Sequence, residues 1–183
     1  MVAVTLRGRR EVLRLAGALL GTAAFGVDEA VAGHRDDVRS LALYAITTGE
    51  RIAVDYRVEG VYQGDALAEV AHLLRDHRTG AEHPIDPVLL DHLAGVCMRL
   101  QTRAPIHVVS GYRSPGTNAA RHRGHPDVAG HSYHVAGRAV DVYCPDRDLR
   151  AVRRAATEVA AGGVGYYPER GFVHLDSGPL RAW

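Results

Sequence analysis

His131-Ser132-Tyr133-His134-Val135-Ala136-Gly137-Arg138-Ala139-Val140-Asp141, taken with Phe172-Val173-His174-Leu175-Asp176, is the part of the sequence from which the rest can be read. It holds a histidine, a carboxylate seven residues later, and a second histidine on a short apolar run further along. Asp141 lies among Ala139, Val140 and Val142, and His174 among Phe172, Val173 and Leu175. Short apolar runs of this kind read as buried strands. An unpaired carboxylate is costly to bury, and a cation partner relieves that cost. Two imidazoles and one carboxylate are a usual ligand set for a catalytic zinc that keeps a fourth position open. Gly137 lets the chain bend between His134 and Asp141, and two adjacent strands can bring Asp141 beside His174. The spacing alone leaves a second reading open, in which His134 is a satisfied core histidine and Asp141 a structural acid.

Working outward, Ala139 to Tyr143 alternates as a strand, and Ile106-His107-Val108-Val109 is another, bounded by Pro105 and by Ser110-Gly111. The second strand delivers Gly111-Tyr112-Arg113-Ser114-Pro115 into a polar stretch over residues 114–132, which reads as a long functional loop. Nearer the start, Leu41, Leu43 and Ala45, the turn Thr47-Thr48-Gly49-Glu50, and Ile52, Val54 and Tyr56 form a β-hairpin signal. Asp65 can cap a helix carrying Leu67, Val70, Ala71 and Leu74 and ending near Gly80. Asp86-Pro87 starts a second helix, with a cap followed by proline at the first helical position. Asp146 is the expected cap of a third, with Leu149, Val152, Ala156 and Val159 on one side, broken by Gly162-Gly163. The expected fold is α+β: a small antiparallel sheet with helices packed on one side and the zinc site at the loop end of the sheet.

Residues 1–32 read as an export signal. Arg7, Arg9 and Arg10 precede a small apolar run from Leu13 to Phe25, and Ala30-Val31-Ala32 supplies a cleavage pattern. Arg9-Arg10-Glu11-Val12-Leu13-Arg14 resembles the twin-arginine signal, with Gly8 where Ser or Thr is usual. The run is shorter than the ~20 residues of a spanning helix, so no stable membrane insertion is expected after cleavage. A linker over 33–39 and one domain over 40–183 follow, in the periplasm or outside the cell. The first 32 residues hold four Arg and three acids; the remainder carries eighteen of each and is neutral, which argues against a nucleic-acid partner. Cys97 and Cys144 are too few for a disulfide framework. A plain buried thiol is the expected state of Cys97, and a single bridge to Cys144 is the alternative.

Ser132-x-His134-x-x-Gly137-x-Ala139-x-Asp141 is similar to the zinc motif of the D-alanyl-D-alanine metallopeptidase superfamily, which also includes, more distantly, the hedgehog signalling domain. More closely, the chain resembles the murein endopeptidase K branch of bacterial cell-wall hydrolases. That likeness rests on Leu43-Tyr44-x-x-Thr47-Thr48-Gly49-Glu50, Arg75-Asp76-His77-Arg78, Ser110-Gly111-Tyr112-Arg113-Ser114-Pro115-x-Thr117-Asn118, Gly163-Val164-Gly165-Tyr166-Tyr167-Pro168 and Phe172-Val173-His174-Leu175-Asp176-x-Gly178-Pro179, in order from about Ser40 to Trp183.

The resemblance implies that His134, Asp141 and His174 bind one zinc ion and that Arg113 binds substrate or steadies an oxyanion. It implies an exported, monomeric zinc peptidase acting on peptidoglycan cross-links that contain D-amino acids. Several relatives carry Glu or His two or three residues before the last zinc histidine, where this chain has Phe172 and Gly171. Asp176 is then the preferred general base, with an alternative as the carboxylate that orients a ligand; Glu169 and His131 are the other candidates. That departure leaves open a catalytically silent, zinc-containing peptidoglycan-binding module. A D,D-carboxypeptidase or dipeptidase and an intracellular amide hydrolase are further alternatives.

Overall fold

Alternating apolar residues start the sheet at Val38, slightly earlier than expected and inside the segment read as a linker. In the computed structural model, which describes residues 37–124 and 132–183, strand β1 (Val38–Ala45) turns its Leu41, Leu43 and Ala45 inward. The turn after it needs Gly49, whose φ of 78° lies in the left-handed region. Strand β2 (Arg51–Val58) returns antiparallel, with Leu43 opposite Ile52 and Leu41 opposite Val54, and the short β3 (Val61–Tyr62) extends that edge. The segment expected to be an export signal, residues 1–32, and most of the expected linker lie outside the described residues.

Helix α1 (Gly64–Leu73) follows Gln63, which makes no side-chain cap. Asp65 sits in the first turn, where its charge favours the helix dipole, and is not the cap. The helix stops at Leu73, short of Gly80, because the segment beyond it folds around the buried Asp76 carboxylate. That carboxylate accepts the Arg78 N–H at 2.9 Å, the Ser114 N–H at 2.9 Å and the Ser114 hydroxyl at 2.7 Å. Helix α2 (Pro87–Leu100) begins as expected, with Asp86 accepting from Val88 N at 3.0 Å. It buries Leu89, Leu90, Leu93 and Val96, each contributing about 2 kcal/mol by leaving water.

Strand β4 (Ile106–Ser110) is as expected, but the stretch after it is not all loop. Helix α3 (Pro115–Gly124) occupies its first half, and most of the remainder lies outside the described residues. Strand β5 (Ala139–Tyr143) leads to helix α4 (Leu149–Val159), capped by Asp148, whose side chain accepts from Ala151 N at 2.7 Å. Asp146 instead binds the Thr102 hydroxyl and Arg147. Strands β6 (Gly163–Tyr167), β7 (Phe172–Asp176) and β8 (Arg181–Ala182) complete a sheet ordered β3-β2-β1-β4-β5-β7-β6-β8.

The architecture is α+β as expected, with a sheet of eight strands that is mainly antiparallel; β1–β4 and β6–β8 pair in parallel. Helix α1 packs on β2, α2 on β1 and β7, and α4 on β6 and β7. Val140, Val142, Val173 and Leu175 point to that helical side and are buried. Residues alternate across a strand, so Asp141, His174, Gly165 and Tyr167 point to the opposite face. Among the described residues no helix is long and apolar enough to cross a membrane. Cys97 and Cys144 are free thiols, not a bridge, and burial pushes them up to about 12 and about 11.

Burial acts to raise the Asp76 pKa, but hydrogen bonds from Thr117, Ser114 and Arg78 outweigh it and hold the carboxyl below the usual range. A depressed pKa contributes stability above the unfolded carboxylate value near ~4 that is lost as pH falls below it. Asp76→Ala is expected to lower the unfolding free energy by about 2–3 kcal/mol at neutral pH. Urea denaturation of both proteins should show that gap narrowing as the pH drops below about 4.

Candidate metal centre

Each polar group at the centre of the open face is brought there by a specific local feature. The β4–β5 pairing carries a bulge between Val108 and Ser110, which sets Ser110 opposite Asp141. Bulges re-aim side chains in this way. Gly111 then passes so close to helix α1 that a Cβ would lie 2.4 Å from the Leu74 carbonyl oxygen, and Tyr112 N bonds to that oxygen at 2.7 Å. The chain therefore leaves β4 along one route, and Arg113 points back over the sheet with its Nε on Ser110 Oγ at 3.0 Å. His134 lies in a 3₁₀ turn (Tyr133–Ala136) capped by Ser132 and closed by Gly137 at φ 64°. A Cβ at Gly137 would also strike the Pro84 carbonyl at 2.2 Å, so glycine is required there twice over. Asp141 and His174 are direct cross-strand partners.

Three atoms converge. His134 Nε2 is 3.2 Å from Asp141 Oδ1, His174 Nδ1 is 2.8 Å from the same oxygen, and the two ring nitrogens are 3.2 Å apart. His134 and Asp141 are buried and His174 nearly so. The far nitrogens are held as well. His134 Nδ1–H donates to the Gly111 carbonyl at 2.7 Å, which leaves Nε2 as a lone pair facing inward. His174 Nε2 lies 3.1 Å from Asp176 Oδ2, so Nδ1 is the nitrogen presented to the centre. Metal-ligating histidines are oriented by such partners. Tetrahedral zinc, with bonds near 2.0–2.1 Å, sets its ligand atoms roughly 3.3 Å apart, so the donor set fits one small divalent ion.

Burial lowers the His134 pKa and keeps the ring neutral, although Asp141 pulls the other way. Burial opposes ionisation of Asp141, yet the two histidines hold it well below the carboxylate range. His174 is raised, since hydrogen bonds to Asp141 and Asp176 outweigh its burial. Arg113 Nη2 completes the cluster, 2.7 Å from Asp141 Oδ2 and 3.1 Å from His134 Nε2. Its Nη1 carries no hydrogen bond among the described residues. Two imidazoles, one carboxylate and an adjacent guanidinium form a donor set that could hold one divalent ion beside a fixed cation.

The sequence model of the family described as peptidoglycan L,D-endopeptidase MepK matches residues 34–183. The peptidoglycan L,D-endopeptidases MepK of Escherichia coli (strain K12) and Shigella flexneri are each 40% identical to the chain over 178 residues, covering 96% of both sequences. A relative from Haemophilus influenzae is 35% identical over 178 residues, 97% of this chain and 96% of its own. The chain belongs to this family, within the D-Ala-D-Ala metallopeptidase superfamily, and is a peptidase.

The residues expected at the site meet with different fates. His134, Asp141, His174 and Arg113 come together. Asp176 is adjacent but fully buried behind His174. Its oxygens accept from Gly163 N (3.3 Å), Gly178 N (2.8 Å) and Arg181 (3.1 and 2.7 Å) besides facing the imidazole. Burial opposes its ionisation, but the His174 and Gly178 hydrogen bonds and the Arg181 charge hold it near about 2. The carboxylate expected as general base is thus saturated with hydrogen bonds and faces His174 Nε2, the ring nitrogen turned away from Asp141. Glu169 is exposed in the 3₁₀ turn Pro168–Arg170, and His131 lies outside the described residues. Sequence reading missed Tyr167 and Trp183, whose rings stand over Gly165 beside His174.

Ligand nitrogens must be deprotonated to bind a metal, so an ion taken up at this cluster is expected to displace a proton from His174 Nδ1. Because His174 titrates above the ordinary histidine range, metal affinity is expected to fall as pH is lowered through that raised pKa. Calorimetric titrations of a divalent ion in buffers of different ionisation enthalpy would count the released proton, and Asp141→Ala should remove both binding and release.

Proposed function

We propose that this chain is an exported zinc endopeptidase that cuts peptide cross-links of peptidoglycan, at the L,D bond for which its relatives are named. The observation that carries this reading is the convergence of His134 Nε2, Asp141 Oδ1 and His174 Nδ1 beside Arg113, on the open face of the sheet. Full-length similarity to peptidoglycan endopeptidases supports the substrate class. His134, Asp141 and His174 would hold a single zinc ion. When bound, zinc supplies a Lewis acid and makes water nucleophilic at neutral pH.

The chain's own residues do the rest. Asp176 fixes the His174 ring so that Nδ1 faces the centre, and the Gly111 carbonyl does the same for His134 Nε2. Arg113 shields the buried Asp141 charge with Nη2 and offers Nη1 to a peptide carbonyl lying over the face. A fixed guanidinium there stabilises negative charge as it develops on that oxygen. Cross-linked stem peptides are extended and carry carboxylates, which suits an open sheet face with arginine at its centre. Residues 1–32 supply the export signal and the remainder, after a short linker, the peptidase domain.

Purified zinc-loaded protein is expected to cleave cross-linked muropeptides, with activity lost to a chelator and restored by zinc. His134→Ala and Asp141→Ala should lose both stoichiometric zinc and turnover. Asp176→Asn should weaken zinc binding by about 10- to 100-fold while leaving the fold intact. No cleavage by metal-loaded wild type that still binds sacculi would instead make the chain a silent binding module, the reading that Phe172 at a usual base position favours.

A further inference from the structure

The side of the centre away from Arg113 is built by two aromatic residues that the metal site does not require. Gly165 is directly opposite His174 in the β6–β7 ladder, and Tyr167, two residues on, shares its face. Diagonal neighbours of this kind are within reach of a long aromatic side chain. Trp183 runs alongside β6, its backbone bonded to Val164 O at 3.1 Å and to Tyr166 N at 2.9 Å. Its ring lies 5.6 Å from the His174 ring, centroid to centroid. A Cβ on Gly165 would come within 2.8 Å of the Trp183 ring and 2.9 Å of the Tyr167 ring, so both rings lean over the one position left bare beside His174. Trp183 Nε1 donates to the Tyr167 hydroxyl oxygen at 2.8 Å. Indole can only donate, so this bond occupies a lone pair of the phenol and leaves its O–H free. Among the described residues no acceptor takes that proton. The phenol lies on the same face of the sheet as the Arg113 guanidinium, across His174 from it. A half-buried phenol held by a tryptophan, its O–H directed to no protein acceptor among the described residues, is a preorganised donor.

We infer that Tyr167 is a catalytic residue, donating a hydrogen bond to the scissile carbonyl oxygen as negative charge develops there, and that Trp183 is the positioning residue that aims it. This rests on the peptidase reading above and adds to it a group acting beside Arg113. Tyrosine supplies the bond without being deprotonated, so the contribution needs no base at Phe172 or Gly171.

The test uses full-length, zinc-loaded wild type, Tyr167→Phe and Trp183→Phe, with a cross-linked muropeptide as substrate and a phosphinate peptide as tetrahedral probe. Trp183 is the only tryptophan in the chain, so its fluorescence reports probe binding in wild type and in Tyr167→Phe. Tyr167→Phe should lower kcat by about 10²-fold with KM nearly unchanged, the loss typical of one missing oxyanion donor. It should weaken phosphinate binding by a similar factor, hardly change binding of a planar product peptide, and keep full zinc content. Trp183→Phe should lower kcat by a smaller factor, about tenfold, because the phenol is kept but no longer aimed. A kcat for Tyr167→Phe within about twofold of wild type would overturn the inference while leaving the peptidase reading in place. So would equal weakening of the planar and tetrahedral ligands. If wild type itself does not cleave, the peptidase reading falls and this inference falls with it.

Discussion

A carboxylate with almost no access to water is the constraint on which this molecule turns. Asp141 sits in the middle of the sheet, and without partners its charge would be worth several kcal/mol against folding. Arg113 meets one oxygen at 2.7 Å, and His174 and His134 meet the other at 2.8 and 3.2 Å. The same contacts that make the charge tolerable are the ones that gather the candidate ligand set. Fold and chemistry are therefore not separable at this point: the arrangement that solves the burial of Asp141 here is two imidazoles and a guanidinium brought together.

Holding the partners in place falls to the backbone. The bulge after Val108, the close passage of Gly111 against Leu74 and the left-handed Gly137 each leave the chain one path. Asp76 ties the Arg113 segment back to helix α1 through Ser114. Behind His174, Asp176 is in turn held by Arg181, whose guanidinium also lies over the Tyr133 and Trp183 rings at 5.1 Å. The centre is thus surrounded by an outer ring of groups that never reach it, and that ring is what makes the inner distances reproducible.

Much of this was legible in the sequence, for physical reasons. Period-two alternation marks β1, β2 and β5, short apolar runs mark β4 and β7, and Asp86-Pro87 marks the start of α2, because those signals are local. His134, Asp141 and His174 stood out because polar groups in apolar runs need an explanation. Helix α3 escaped because Pro115–Gly124 is polar all round and has no apolar stripe to reveal its period. The Asp148 cap was displaced to Asp146 in the reading because two acids lie within reach of the same helix start, and only the contact of Asp146 with Thr102, 44 residues earlier, separates them. The parallel β1–β4 and β6–β8 pairings, and with them the Trp183 contact to Tyr167, depend on which strands meet, which no local pattern encodes. Asp176 is the residue the sequence favours as base; which side of the His174 ring it occupies is set by the tertiary contacts of its strand, which no local pattern encodes.

The division of the sheet into a helical face and an open one has an evolutionary consequence. The apolar residues that hold the domain together, among them Leu43, Val108, Val142 and Leu175, all point away from the reacting centre. Their neighbours Tyr44, His107 and Tyr143 form a contiguous row on the other side, linked ring to ring at 4.8 and 4.9 Å and ending two residues from Asp141. Substitutions in that row would alter the open face while leaving the hydrophobic interior as it is. Such a scaffold can take single changes on its open face while the apolar interior and the His134–Asp141–His174 cluster stay constant.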